Sequence, residues 1–223
     1  ADDIYGTARY KDDKAVAIGI VATGIMYNKK VFDEKKWAPP TSWKDLKDPK
    51  YKKQLVVPPL NNTYGLHALV EYAREGGGSE KKIDAGFTTF KNEVGPNVLV
   101  YEPSPGKMTE LFSSGQAVIS VWGSGRAKSF ADTGFPVGFV YPQEGAYALL
   151  SSVCPVAKSA TNPLAQAFVQ YLVTPEVQEK LASAYGYGPV NKKAKVEDDP
   201  RVPLPIGKRA ADLIVIDWDT VNQ

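Results

Sequence analysis

Short apolar runs alternate with amphipathic helical patterns along most of this chain, and this order restricts the fold more than any other feature. Strand candidates lie at residues 15–22, 55–57, 98–101, 117–121, 137–140 and 148–156. Helical patterns lie at residues 64–74, 79–90, 104–112, 124–131, 162–173 and 174–185. Such alternation is typical of an α/β fold, for which mostly parallel strand pairing is the default expectation.

A threonine and a glycine interrupt the first apolar run. Thr23 and Gly24 separate residues 15–22 from a second apolar piece at residues 25–27. A glycine inside a strand pattern indicates a bulge, a bend or a hinge. We therefore expect the first strand to break at this point and to resume at Ile25.

The charge balance and the single histidine exclude several classes of function. The chain has 27 basic and 25 acidic residues, a formal net charge of +2, which does not favour binding to nucleic acid or to a membrane surface. His67 is the one histidine, and no nucleophile motif accompanies it, so Ser-His or Cys-His catalysis is not expected. Cys154 lies in an apolar stretch, which predicts a buried thiol. We therefore expect a binding protein with no metal and no cofactor rather than an enzyme.

The motif Trp122-Gly-Ser-Gly-Arg126 joins a predicted strand to a predicted helix. At such a junction Trp122 can stack on a ligand, Ser124 can donate a hydrogen bond, and Arg126 can bind a carboxylate with two parallel hydrogen bonds. The two glycines would let backbone N–H groups approach the ligand. The same pattern also fits a tight turn with a core tryptophan and a solvated arginine.

Two other predicted helix starts follow strands in the same way. Thr63 and Tyr64 open the helix after residues 55–57, with Asn62 or Thr63 as its cap, and Ser104 opens the helix after residues 98–101 with Pro105 in its first turn. Free N–H groups at a helix start favour anionic groups, although a cap without any ligand is equally compatible with the pattern. If the sheet is parallel, the three helix starts line one wall of a cleft.

A tyrosine pair ends the last long helical pattern, in Tyr185-Gly-Tyr-Gly-Pro-Val-Asn191. Tyr187 can reach a ligand from this position. A helix end closed by Gly186 in a left-handed conformation explains the pattern as well. A tyrosine pair can also bind ferric iron, but no carboxylate or histidine partner is evident nearby.

Six further motifs occur in a specific order and spacing over nearly the whole chain, although each is loose by itself. They are Thr23-Gly-Ile-Met-Tyr-Asn-Lys-Lys-Val-Phe32, Pro40-Thr-Ser-Trp-Lys-Asp-Leu46, Leu111-Phe-Ser-Ser-Gly-Gln-Ala117, Tyr141-Pro-Gln-Glu-Gly145, Ala167-Phe-Val-Gln-Tyr-Leu172 and Pro175-Glu-Val-Gln-Glu-Lys180. Together they resemble the extracellular solute-binding proteins of ABC importers, closest to the polyamine, iron and thiamine branch of the type II periplasmic binding fold.

The resemblance implies a two-lobed protein that closes about a hinge on a small solute and delivers it to an ABC permease in the inner membrane. It implies a periplasmic location, or an extracellular one with a membrane tether. Trp122, Ser124, Arg126, Thr63, Tyr64 and Ser104 would then contact the solute, with Tyr147 near the hinge. Two alternatives remain: a small-metabolite enzyme on an α/β fold, and a structural or regulatory module whose cleft is vestigial in the truncated chain.

The chain departs from the family pattern in its length. Family members begin with a long segment that builds much of the first lobe, whereas this chain opens near the hinge strand. We therefore expect a truncated protein with one complete second lobe at residues 19–145, and with a hinge and partial first lobe at residues 1–18 and 146–223. A dimer that exchanges elements between two copies would complete the fold.

A second departure concerns the ligand. Polyamine binders of the family carry a tryptophan and an aspartate just after the Pro-x-Glu-Gly segment, but residues 146–152 of this chain contain no carboxylate. A dicationic ligand would lack a counter-charge there, and burying an unpaired charge is costly. Arg126 favours instead a solute with a carboxylate or a zwitterionic solute, while polyamine or ferric iron binding stays the alternative within the family.

Overall fold

A mixed six-stranded sheet lies at the centre of the molecule. The structure, a computed structural model, describes residues 3–10, 14–156 and 162–221. The strand order is β3-β2-β4-β1-β5, and β6 pairs with the first half of β1. The strands are β1 (Val16–Asn28), β2 (Leu55–Val57), β3 (Val98–Tyr101), β4 (Ile119–Gly123), β5 (Val137–Val140) and β6 (Tyr147–Val153).

Helices connect and cover these strands. Short 3-10 helices lie at Gly6–Ala8, Trp43–Lys47, Pro49–Tyr51 and Gly95–Asn97, and a π-helical turn lies at Phe90–Val94. The α-helices of the described residues are α1 (Lys29–Lys35), α2 (Thr63–Glu75), α3 (Asp84–Thr89), α4 (Pro105–Ser113), α5 (Ser124–Asp132), α6 (Pro163–Leu172), α7 (Pro175–Tyr185), α8 (Gly207–Ala211) and α9 (Trp218–Val221). None of them is long and apolar enough to cross a bilayer.

The strand directions correct the expectation of a mostly parallel sheet, although the α/β class is confirmed. Strand β2 runs parallel to β3 and β4, whereas β1 is antiparallel to β4, β5 and β6. The strands β2, β3 and β4 follow one another through crossover helices, and such connections produce parallel pairs. Within residues 14–156, no strand-helix-strand crossover joins β1 to β4, β5 or β6. The order of elements along the chain therefore does not determine the direction of β1 in the sheet.

The predicted break in the first strand is wrong, because β1 continues through Thr23 and Gly24 without interruption. Thr23 pairs with Gly123 and Tyr147, and the pairing continues directly to Gly24. A Cβ atom at Gly24 would overlap the carbonyl oxygen of Val140 and lie 2.9 Å from the Phe139 ring. The glycine therefore permits a close approach of β5 rather than a bend.

Three helices begin at the same edge of the sheet, where the parallel strands β2, β3 and β4 end. Asn62 caps α2 by accepting a 2.9 Å hydrogen bond from the Tyr64 N–H. Ser104 caps α4, and Pro105 occupies its first turn, as predicted. Helix α5 follows Gly123, which has no side chain to cap it. The three helix starts thus face one side of the molecule.

The residues of the strands alternate between two cores on opposite faces of the sheet. Leu55 and Val57 of β2 belong to a core with Trp43 and Tyr72, whereas Val56 belongs to a second core. Successive side chains of a strand point to opposite faces, so this alternation places one core on each side. The second core is built mainly by the large side chains Met108, Phe112, Trp122, Phe130 and Phe139.

The segment after β6 is more exposed than the sequence suggested. Cys154 was predicted to be buried, but its side chain is exposed because β6 ends at Val153 and the chain leaves the sheet there. Helix α6 contains no buried residue, and Leu164, Phe168 and Tyr171 are all exposed. The apolar composition of this region therefore did not predict its burial.

Candidate functional site

A cavity of about 390 Å³ opens beside the start of α5, where β1, β6 and the end of α7 meet. This volume suits a small molecule. The side chains that give the cavity its chemistry are Tyr64, Arg126, Ser129, Ser151, Tyr185 and Tyr187. Two residues predicted from the sequence to bind a ligand, Tyr64 and Arg126, therefore lie in the same cavity.

Arg126 supplies the one charged side chain among the described residues that line the cavity. It lies in the first turn of α5 and is exposed. No ion pair joins it to a carboxylate in the described ranges. Burial raises the pKa of the Tyr64 hydroxyl, against the opposing effect of the nearby Arg126 guanidinium. The phenol therefore keeps its proton near neutral pH, and guanidinium and phenol can both donate to an anion.

The glycines of Trp122-Gly-Ser-Gly-Arg126 make room for tyrosines. A Cβ atom at Gly123 would overlap the hydroxyl group of Tyr64. A Cβ atom at Gly125 would lie 2.6 Å from the carbonyl oxygen of Tyr185 and 3.6 Å from the Tyr187 ring. The sequence suggested that these glycines admit a ligand to the backbone. The structure shows that they admit the tyrosines of the cavity wall.

Backbone geometry fixes the position of Tyr187. Gly186 has a φ of 69°, the predicted left-handed conformation at the end of α7. Gly188 then exchanges two backbone hydrogen bonds with Ile20 of β1, at 2.9 and 2.8 Å. A Cβ atom at Gly19 would overlap the Tyr187 ring. The ring is therefore held against the central strand on one side and against α5 on the other.

Trp122 and Ser124 lie behind the cavity wall, which differs from the sequence-based expectation that they meet a ligand. Trp122 is 2% exposed and packs in the second core, with its ring centroid 5.5 Å from that of Tyr64. Ser124 is fully buried, and its Oγ accepts a 3.0 Å hydrogen bond from the Ala22 N–H. The Trp122 ring packs against Tyr64, and the Ser124 hydroxyl is hydrogen-bonded to the backbone of β1. Both side chains therefore hold the cavity wall in place and do not face the cavity themselves.

The remaining predicted residues lie away from the cavity lining. Tyr147 is fully buried, and its hydroxyl donates a 2.7 Å hydrogen bond to Glu71. Thr63 is half-buried at the first position of α2. Ser104 is exposed and accepts from the Lys107 N–H as the cap of α4. The structure therefore does not bring these three side chains together with Arg126.

Sequence reasoning did not select three residues that line the cavity. Ser129 lies three positions after Arg126, so the helical spacing alone places both on one face of α5. Ser151 lies on β6, and Tyr185 ends α7. Only the fold brings these last two next to α5, since β6 and α7 follow it in the chain and pack beside the central strand.

His67 is a buried core residue, in agreement with the expectation that it is not a catalytic base. Its Nδ1 lies 2.8 Å from the Thr23 hydroxyl, and its ring stacks on Tyr147 at a centroid distance of 5.1 Å. Burial lowers the pKa of His67 to about 3. The ring is therefore neutral at physiological pH. In the described ranges no group of three or more His, Cys, Asp or Glu residues is placed to hold a metal ion.

Replacing Ser124 by alanine is expected to lower the free energy of unfolding by about 1–3 kcal/mol. The substitution leaves the buried Ala22 N–H without its acceptor. Water does not readily replace that acceptor, because the position is fully buried. Urea denaturation measures this change. Ser129→Ala is the matched control, because Ser129 is an exposed serine of the same helix. Equal stability of the two variants would contradict the structural role of Ser124.

Comparisons with known proteins agree with this fold. Residues 1–203 match the family model of bacterial extracellular solute-binding proteins. The spermidine/putrescine-binding periplasmic protein of Escherichia coli K12 is 26% identical over 182 residues, which cover 81% of this chain and 51% of that protein. This chain therefore spans about half the length of the curated relatives that it matches.

Solved structures resemble the chain over nearly all of its length. An ABC transporter protein from Clostridium perfringens ATCC 13124 is 25% identical with a TM-score of 0.81, over 99% of this chain and 69% of that chain. The periplasmic binding protein AfuA from Actinobacillus pleuropneumoniae, solved with fructose-6-phosphate, is 19% identical with a TM-score of 0.75, over 99% and 72% of the two chains. Together with the family match, these structures confirm the resemblance inferred from the sequence motifs: the chain belongs to the bacterial extracellular solute-binding proteins.

Proposed function

We propose that this protein captures a small carboxylate-bearing or zwitterionic solute in the cavity beside α5 and delivers it to an ABC importer. The observation that carries this proposal is Arg126, an exposed guanidinium in a cavity whose described lining contains no acidic side chain. A guanidinium binds a carboxylate with two parallel hydrogen bonds. The Tyr64 hydroxyl beside it offers a third donor.

The same charges disfavour a polyamine. The curated relatives are named for spermidine and putrescine, both of which are cations at neutral pH. In this cavity an ammonium group would face the Arg126 guanidinium without a carboxylate to offset its desolvation. Ferric iron is supported only by the tyrosine pair Tyr185 and Tyr187, because the lining that the structure describes has no acidic or histidine side chain to complete its coordination.

Binding and release would follow from closure of two lobes about the central strand β1. We assign residues 19–145 to one lobe and residues 1–18 and 146–223 to the hinge and the other lobe. Residues 1, 2, 11–13, 157–161, 222 and 223 of this division lie outside the described residues. Closure would bury the solute in the cavity beside Arg126, and no bond is made or broken. The closed form then docks on a permease in the membrane, from the periplasm or the extracellular face.

A dimer that exchanges elements between two copies stays a prediction, and the molecular mass of the protein in solution tests it.

Isothermal titration calorimetry on the purified chain tests the assignment of the anionic site. The probes are succinate, glutamate, 4-aminobutyrate and spermidine. We expect at least one of the three carboxylates to bind, and Arg126→Ala to weaken that binding by about 10- to 100-fold, because the variant loses charge-assisted hydrogen bonds. Arg126→Lys should retain part of the affinity, since it keeps the charge but not the planar fork.

Lys30→Ala is the charge-matched control, because Lys30 is an exposed cation on α1 and does not line the cavity. It should bind the same carboxylate as tightly as the unchanged protein. Binding of spermidine alone would contradict the proposal, as would an equal loss of affinity in the Arg126 and Lys30 variants.

A further inference from the structure

We infer that the solute carries a planar aromatic or heteroaromatic ring in addition to its anionic group. This inference rests on the proposed function, since it assigns a class of substrate to the same cavity. Three of the side chains that line the cavity are tyrosines, and one is an arginine. The cavity therefore offers a cationic anchor and several aromatic surfaces within one small volume.

The aromatic surfaces are available to a ligand. The rings of Tyr185 and Tyr187 lie with their centroids 6.0 Å apart and their planes inclined by 42°. Tyr185 is 55% exposed, although it is a large aromatic side chain. Aromatic rings prefer offset-stacked or edge-to-face contacts at centroid distances of about 4.5–7 Å. A planar ring that enters the cavity can make such contacts with Tyr185 on its free face.

Two of the three tyrosines are held in place before any ligand binds. Tyr187 lies against Gly19, where a Cβ atom would overlap its ring, and it lies within ordinary contact distance of the Gly125 position. Tyr64 lies over Gly123 and packs against Trp122. Tyrosine also has few rotatable bonds, so ordering it on binding costs little entropy. The aromatic walls are therefore preorganised, which favours a rigid planar solute over a flexible one.

The other lining residues argue against the two alternative ligands that aromatic side chains commonly bind. A cation would be repelled by Arg126, and no carboxylate in the described lining would offset that repulsion. A neutral sugar needs many polar partners for its hydroxyl groups, whereas among the described lining residues Ser129 and Ser151 are the only neutral polar side chains besides the tyrosines. A volume of about 390 Å³ accommodates one substituted ring with an acid group.

Calorimetry with a matched pair of acids tests this inference. Benzoate and cyclohexanecarboxylate carry the same acid group on a planar and a puckered six-membered ring. We expect benzoate to bind about three- to tenfold more tightly, because only the planar ring gains the aromatic contact. Tyr185→Leu should remove this preference, and Tyr185→Phe should keep it. We expect both variants to fold, because the Tyr185 side chain is exposed, and circular dichroism melting checks this.

The outcomes separate this inference from the proposed function. If cyclohexanecarboxylate binds as tightly as benzoate, and Arg126→Ala weakens both, the aromatic preference is overturned while the anionic site stands. If the preference for benzoate persists in Tyr185→Leu, the assignment of the tyrosine wall is overturned. If neither acid nor any carboxylate of the first panel binds, both proposals are wrong.

Discussion

Replacing Trp43 by alanine is expected to lower the free energy of unfolding by about 3–5 kcal/mol, the range found for large aromatic side chains in a core. Trp43 is fully buried in the first core and makes an edge contact with the Tyr147 ring at 6.2 Å. Its indole Nε1 donates a 2.8 Å hydrogen bond to the carbonyl oxygen of Gly145. The substitution therefore creates a cavity and also leaves a carbonyl group without its donor. Chemical denaturation followed by circular dichroism measures the loss.

Two further variants divide this effect into its parts. Trp43→Phe keeps much of the apolar volume but loses the indole N–H, so it should cost less than the alanine substitution. Phe168→Ala is the exposed control, because Phe168 is 58% exposed on α6, and its stability should change by less than about 0.5 kcal/mol. Equal stability of Trp43→Ala and Phe168→Ala would contradict the packing of Trp43 against Gly145, which lies in the loop between β5 and β6.

Acid should destabilise the protein through His67, by up to about 1.4 kcal/mol for each pH unit between pH 6.5 and pH 3. Burial lowers the pKa of His67 to about 3 in the folded protein, against an ordinary value of 6.5. In this window the unfolded chain binds a proton that the folded chain does not bind. The free energy of unfolding therefore falls as the pH falls, and the stabilisation is complete above pH 6.5.

Other groups contribute to the pH dependence, so the test is a difference between two proteins. Burial raises the pKa of Glu71, which has the opposite effect and makes the folded state less stable as the pH rises above about 4.5. Hydrogen bonds from Arg201 lower the pKa of Asp199 to about 2, which adds a loss of stability at lower pH. His67→Gln removes only the histidine contribution.

The measurement is urea denaturation of the unchanged protein and of His67→Gln at several pH values between 3.5 and 7.5. The stability of the unchanged protein should fall more steeply with falling pH than that of His67→Gln, because only the unchanged protein has to exclude a proton from residue 67. A constant difference over the whole range would contradict the buried, neutral state of the histidine.

The features that sequence reasoning predicted correctly depend mostly on neighbouring residues. Asn62 caps α2, Ser104 with Pro105 begins α4, and Gly186 ends α7, because each of these signals acts within one turn of helix. The sequence also predicted that the three helix starts lie on one side of the sheet if the strands before them are parallel, and β2, β3 and β4 are parallel. Local chemistry therefore determined where these helices begin and end.

The features that it missed depend on contacts between distant parts of the chain. Gly24 permits the approach of Val140, which is 116 positions later, and nothing near Gly24 indicates this neighbour. Ser124 was expected to meet a ligand, but its hydroxyl is bonded to Ala22, 102 positions earlier. The glycines beside Trp122 were assigned to a ligand because the sequence does not show which tyrosines cover them. In the sequence, a small or polar residue at a strand-to-helix junction therefore gives the same pattern whether a ligand or another part of the protein packs against it.

A crystal structure of the protein with bound benzoate tests the central claim most directly. We predict that the carboxylate oxygens lie within hydrogen-bond distance of the Arg126 guanidinium, with the Tyr64 hydroxyl nearby and the ring against Tyr185. Benzoate bound instead in the charged cavity that Lys128, Lys195 and Arg201 line together with four acidic side chains, with the Arg126 guanidinium left free, would contradict the account.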